Sequence, residues 1–222
     1  MVFRQMHRLK PSPQSPRPFK TIMANVVGID VGGIRKGFHA VLLSHGSLKA
    51  TFQHTDPTAL AAWVKDSNVM TVAIDAPCGW SQDGGSREAE RTLQYHQTRI
   101  PCFCTPTRNR AKQSRFYDWV FNGEKLYTAF EKIAIEPIET YPHGIAQIIL
   151  GFNGIGSKRE QRVEALKIVG ISTDTLSSSD LLDAALCALT ADATRTHLTL
   201  SFGNKKEGHL VLPTEKYFSQ RH

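Results

Sequence analysis

Residues 26–33 read Val26-Val27-Gly28-Ile29-Asp30-Val31-Gly32-Gly33. An apolar, β-branched run of this kind predicts a buried strand, here carrying an acid near its end, and the glycine pair predicts a turn or a close backbone approach. Working outward, residues 37–43 and 48–53 read as a second and third strand separated by polar turns, so the three form an antiparallel meander. Residues 56–65 open on Asp56-Pro57 and carry Leu60, Ala61 and Val64 at helical spacing. Residues 69–74 read as a fourth strand that ends at Asp75 and is broken by Ala76-Pro77. A helix is expected over 86–97, a second over 116–130, and a fifth strand over 133–138 that ends near Glu139. Further helices are expected over 145–150, 158–169 and 180–193, the last capped from Ser177–Ser179. A β-β-β-α-β order followed by alternation predicts an α/β fold, a mixed sheet with helices on its faces.

The chain has 222 residues, 41% hydrophobic and 21% charged, which is the composition of a globular protein rather than a disordered or fibrous one. Its formal charge of +7 is unevenly placed. Residues 1–22 hold Arg4, Arg8, Lys10, Arg17 and Lys20 with no acid, leaving 22 basic against 20 acidic groups elsewhere. This basic, Pro-rich segment is expected to be a disordered tail, and residues 23–222 a single domain with a basic insertion at about 81–130. Four cysteines make no disulfide scaffold, and no apolar run approaches the length of a membrane span. A cytoplasmic protein with free thiols and no membrane partner is the expectation.

The carboxylates carry the chemistry. Asp30, Asp75 and Glu139 each close a predicted core strand, and a buried acid is costly unless paired, hydrogen-bonded or bound to a cation. The helix Asp180-Leu-Leu-Asp183-Ala-Ala-Leu-Cys-Ala-Leu-Thr190 is apolar at nearly every position. Asp180 and Asp183 nevertheless share one face, three residues apart, and nearby metal ions would relieve their repulsion. An all-carboxylate set without a His-Cys cluster points to Mg²⁺ or Mn²⁺ and to phosphodiester hydrolysis.

Seven motifs together resemble the DUF429 family of predicted nucleases with a ribonuclease H-like fold. They are Gly28-Ile-Asp-Val-Gly-Gly33, Ala73-Ile-Asp-Ala-Pro77, Arg87-Glu-Ala-Glu-Arg91, Cys104-Thr-Pro-Thr107, Glu139-Thr-Tyr-Pro142, Lys158-Arg-Glu-Gln-Arg162 and Asp180-Leu-Leu-Asp-Ala-Ala185. The resemblance covers about residues 26–215 and rests on the order of the motifs. It implies a five-stranded mixed sheet in the order 3-2-1-4-5 with a metal site at the strand ends. By position it implies Asp30 as the first-strand ligand, Asp75 as the fourth-strand acid, Glu139 as the acid after the fifth strand, and Asp183, with Asp180, as the acid of the last core helix.

The segment 81–115 holds seven Lys and Arg against three acids, and Arg87, Arg91, Arg108 and Arg110 are its phosphate candidates. Arg159 and Arg162 form a second pair, and Trp80 and His143 are candidate substrate contacts. The expected partner is nucleic acid or a nucleotide. Two alternatives stand beside the nuclease: a nucleotide or phosphate-ester enzyme or sensor on the same fold, and a noncatalytic interaction scaffold. A zinc set drawn from Cys78, His96, Cys102 and Cys104 has irregular spacing, and no P-loop is present.

Overall fold

The computed structural model describes residues 25–221. The tail expected over residues 1–22 lies outside them. In chain order the elements are β1 (Asn25–Val31), β2 (Phe38–Ser44), β3 (Ser47–His54), α1 (Pro57–Asp66), β4 (Val69–Asp75), α2 (Glu88–Thr92), the short hairpin β5 (Gln94–Tyr95) and β6 (Thr98–Arg99), and α3 (Arg108–Ala111). Next come α4 (Asp118–Glu131), β7 (Ile138–Glu139), α5 (Pro142–Ile149), α6 (Lys158–Ile168), α7 (Ser179–Arg195), β8 (Thr199–Asn204), β9 (Gly208–Pro213) and α8 (Glu215–Ser219). No helix among the described residues is long and apolar enough to cross a membrane.

The main sheet has seven strands in the order β3-β2-β1-β4-β7-β9-β8. The expected 3-2-1-4 core is present, but the sheet does not stop at a fifth strand. β8 and β9 form a hairpin whose second strand pairs in parallel with β7. Its signal in the sequence is the alternation that buries Leu210 and Leu212 on β9, followed back to a turn in which Gly203 and Gly208 both have positive φ. β1, β4, β7 and β9 run parallel, so their carboxyl ends lie along one edge.

Two expectations over 81–138 fail for the same reason. The helix expected over 86–97 ends at Thr92, because Leu93 and Tyr95 are both buried and alternate in β fashion around a hairpin turn at His96 and Gln97. The strand expected over 133–138 shrinks to the two residues of β7. In both stretches a local break interrupts the expected run: positive φ at His96 and Gln97 turns the first, and positive φ at Ala134 followed by Pro137, which has no N–H for a ladder, stops the second.

Two cores cover the sheet. One face packs on α1 and α4 through Ile29, Phe38, Leu60, Ile74 and Phe130, and the other on α5, α6 and α7. Helix α7 lies so close over β1 that a Cβ at Gly28 would overlap the Ala184 carbonyl oxygen and the Ala188 nitrogen. Only glycine admits this approach, because the clash is with helix backbone and no side chain can turn aside. Gly28→Ala is therefore expected to destabilise the fold by about 1–3 kcal/mol or more. Urea unfolding checks this, and an unchanged midpoint would show that α7 does not sit on β1 as described.

Candidate metal centre

β1 and β4 are in register, with Asp30 opposite Asp75. Both lie two residues beyond a pair, Gly28 and Ala73, that faces α7, so by strand alternation both carboxylates point to the α7 side. Asp183, one turn into α7, meets them there. One carboxylate oxygen from each of Asp30, Asp75 and Asp183 lies within 4.8 Å of the other two. A second set shares Asp30 and adds His39 and Asp180, again within 4.8 Å. His39 stands directly opposite Asp30 on β2, with Nδ1 3.9 Å from Asp30 Oδ2 and Nε2 3.7 Å from Asp180 Oδ2. Its Nδ1 is buried with no hydrogen-bond partner.

Cations from the chain meet the outer acids. Lys36 Nζ donates to Asp180 Oδ1 at 2.7 Å. Arg162 Nε donates to Asp183 Oδ1 at 2.7 Å, and Lys158 Nζ lies 2.8 Å from Asp183 Oδ2. The repulsion expected between Asp180 and Asp183 is thus relieved in part by Lys36, Lys158 and Arg162. Among the described residues no Lys or Arg pairs directly with Asp30 or Asp75. Burial, followed by the charges of Asp183 and Asp180, pushes the Asp30 carboxyl up to about 8. Burial, then Asp30 and Asp183, holds Asp75 well above the ordinary carboxylate range. His39 is pushed down, chiefly by burial.

The donor set fits a divalent cation. Three convergent carboxylates are the ligands of a hard ion, and the unpartnered imidazole nitrogen adds a donor that Mn²⁺ accepts readily. Asp30, Asp75 and Asp183 would hold the first ion, and Asp30, His39 and Asp180 could hold a second. A cavity of about 310 Å³ adjoins the first set, lined by Asp75, Tyr141, His143, Lys158, Arg162 and Asp183. Burial, then Arg162 and Lys158, lowers the His143 imidazole, so it is neutral at pH 7.

Glu139 is placed elsewhere. It pairs with Ile74, not with Asp75, so alternation turns it to the opposite face of the sheet. There Arg87 grips it with both terminal nitrogens, at 2.8 and 2.5 Å, and Cys78 N donates to it at 2.7 Å. Thr140, the next residue, faces α7 and meets Thr190 across 2.8 Å. Arg87 is correspondingly unavailable to phosphate: it is 1% exposed and also donates to Glu90.

The other expected phosphate contacts scatter. Arg108 is bound by both oxygens of Glu124, which also accepts from Trp80 Nε1. Trp80 lies tilted on Phe121, 4.9 Å between centroids. Arg91 donates to the Ser86 carbonyl, and Arg110 and Arg159 are exposed. Arg162 is at the site, but buried on Asp183. The sequence reading missed His39, Lys36 and Lys158. A histidine in the otherwise apolar run Phe38-His-Ala-Val-Leu-Leu43 was the signal for the first. The four cysteines are free, and Cys78 is pushed up to about 12 by burial and then by Glu139, which leaves it a thiol.

The chain belongs to the family described as protein of unknown function DUF429, whose profile matches residues 28–207. Among solved structures, RuvC from Thermus thermophilus is similar at 14% identity and a TM-score of 0.44, covering 78% of this chain and 96% of that one. No curated protein matches.

Two outcomes test this geometry. Because the folded pKa of Asp30 lies above its unfolded value, the native state holds a proton that the unfolded chain releases. Without divalent ions, stability is therefore expected to fall as pH rises from about 4 to about 8. Asp30→Asn should reduce this decline by a few kcal/mol, leaving the part due to Asp75, and should remove the rise in melting temperature that Mn²⁺ gives the native chain at pH 8. Glu139→Gln should instead cost about 3–5 kcal/mol in urea unfolding by leaving Arg87 buried and underpaired, while the Mn²⁺-induced shift persists.

Proposed function

We propose that the chain is a divalent-metal-dependent hydrolase of phosphodiester bonds, acting on nucleic acid with Mg²⁺ or Mn²⁺ held by Asp30, Asp75 and Asp183. The observation that carries this reading is the convergence of three acids from two central strands and one helix, beside a cavity edged with cations. These three acids have no structural use for one another, since burial, and then their mutual repulsion, raises two of them toward protonation. A bound divalent ion supplies activation of water and neutralisation of charge on the phosphate oxygens.

The chain's own residues then have distinct tasks. Arg162 fixes the orientation of Asp183 from a wholly buried position. Lys158 is 64% exposed beside the same acid, so its ammonium can also meet a phosphate oxygen in the cavity. His143 lines that cavity as a neutral imidazole, and a ring nitrogen can take the proton of the attacking water or return one to the leaving oxygen. Water adds to phosphorus as the bond to the leaving oxygen breaks, and that oxygen departs as a hydroxyl.

Cleavage of end-labelled nucleic acids in Mn²⁺ tests the proposal. Asp30→Asn and Asp75→Asn should each reduce cleavage about a thousandfold or more. His143→Gln should lower it on the order of a hundredfold and flatten the acidic limb of its pH profile. Full activity in Asp75→Asn would overturn the assignment. Hydrolysis of mononucleotide esters with no gain from a longer polymer would move the function to a nucleotide phosphoesterase at the same site.

A further inference from the structure

A second groove, of about 950 Å³, opens beside the carboxylates between the β1–β2 turn and the start of α4. Its walls are Ile34, Arg35, Lys36, Arg115, Phe116 and Trp119. Ile34 and Phe116 are 61% and 64% exposed, and the Arg115 side chain is 98% exposed. The one acid in the groove, Asp118, lies 3.8 Å from Arg115, and Arg35 makes no ion pair among the described residues. Of the three cations, Lys36 is paired with Asp180 and Arg115 lies near Asp118, so Arg35 is the one without an ion pair among the described residues.

The exposed ring is held in place from beneath. Phe116 rests on Phe103 at 5.4 Å and on Tyr117 at 5.3 Å, and Phe103 in turn lies edge-on to Trp119 at 5.0 Å. The groove also reaches the carboxylates from two directions. Lys36, in its wall, is the residue that binds Asp180. Trp119 and Phe103 line the crevice into which Asp75 projects.

The geometry points to a binding groove for a single-stranded polynucleotide, with bases stacked on Phe116 and its supporting rings and phosphates met by Arg35, Lys36 and Arg115. This deepens the hydrolase reading, and rests on it only for the direction in which the strand leads. Flat rings presented to solvent beside point cations match a polymer that offers unstacked bases and a phosphate at every step. A duplex keeps its bases inside the stack and cannot reach Phe116. A mononucleotide engages one ring and one cation and leaves most of the groove empty. The cavity further along α4, about 680 Å³ and edged by Glu124, Glu131 and Glu136, disfavours the same polyanion.

Fluorescence anisotropy with the full chain in EDTA tests the groove without cleavage. The probes are a labelled oligothymidylate, an oligouridylate, a blunt duplex of matching length and thymidine monophosphate. Both single strands should bind more tightly than the duplex and the mononucleotide. Phe116→Ala should weaken single-strand binding about tenfold with no change in the Mn²⁺-induced melting shift. Arg35→Ala combined with Arg115→Ala should flatten the slope of log affinity against log salt by about 1.4. Equal affinity for duplex and single strand would overturn the groove, as would binding that survives all three substitutions, carried then by cations elsewhere such as those between Arg4 and Lys20. Single-strand binding through Phe116 in a chain that cleaves nothing supports the groove and overturns hydrolysis. Ester hydrolysis without preferential strand binding does the reverse.

Discussion

The approach of α7 to β1 at Gly28 is the contact on which the rest depends. A glycine in the middle of a buried strand gives up side-chain packing, and here it allows helix backbone to lie almost on strand backbone. The consequence appears two residues on. With α7 seated this deep, Asp183 reaches the level of Asp30 and Asp75, although it comes from an element more than a hundred residues further along the chain. The surrounding face of α7, from Ala184 to Ala191, is buried and built of small or aliphatic residues. The helix therefore cannot slide outward to relieve the acids without uncovering that apolar surface.

Strand alternation decides the membership of the site. Asp30 and Asp75 are partners across a parallel ladder and share a face, whereas Glu139 is partnered with Ile74 and does not. A one-residue difference in register sends an acid to the other side of a sheet, where it needs a different counterion. Arg87 supplies it. The pair is buried, its hydrogen bonds include Glu90 and the Glu207 carbonyl, and it ties the segment after β4 to the ends of β7 and β9. Glu207 extends the tie by accepting from Gln82 N and Glu88 N. One strand-end acid thus organises the scaffold while two others are left facing each other.

This contrast explains what was legible in the sequence. Strands β1 and β4 and helix α7 announce themselves through long apolar runs, and an acid at one end of each is visible without knowing the partner. Position along a strand is legible, but register between strands is not, and register separates Glu139 from Asp75. The arginines fail for a related reason. A run such as Arg87-Glu-Ala-Glu-Arg91 shows cations near acids and does not tell which side chain turns inward. Arg87 is 1% exposed and Arg91 is exposed, four residues apart on a helix too short to show a periodic face. The hairpin β8–β9 was readable by its alternation and its glycine-bounded turn, but lay outside the expected five-stranded sheet.

Net charge acquires meaning only after this sorting. Three of the seven cations of residues 81–115 show how differently such charges end up. Arg87 is consumed inside the scaffold, and Arg108 is held by Glu124 on the far side of α4's start. Arg115 projects almost freely beside Phe116. At the carboxylates the cations are Lys36, Lys158 and Arg162, two of them from α6 and one from the turn after β1. They stand on the outer acids, Asp180 and Asp183, and leave Asp30 and Asp75 facing each other at the centre. A site whose flanks are neutralised and whose middle is not attracts a small multivalent cation more strongly than a monovalent side chain, because only the small ion can touch several oxygens at once. Lys36 binds Asp180 and also walls the neighbouring groove, so the charge that steadies the metal ligands is also placed to meet whatever anion enters beside them.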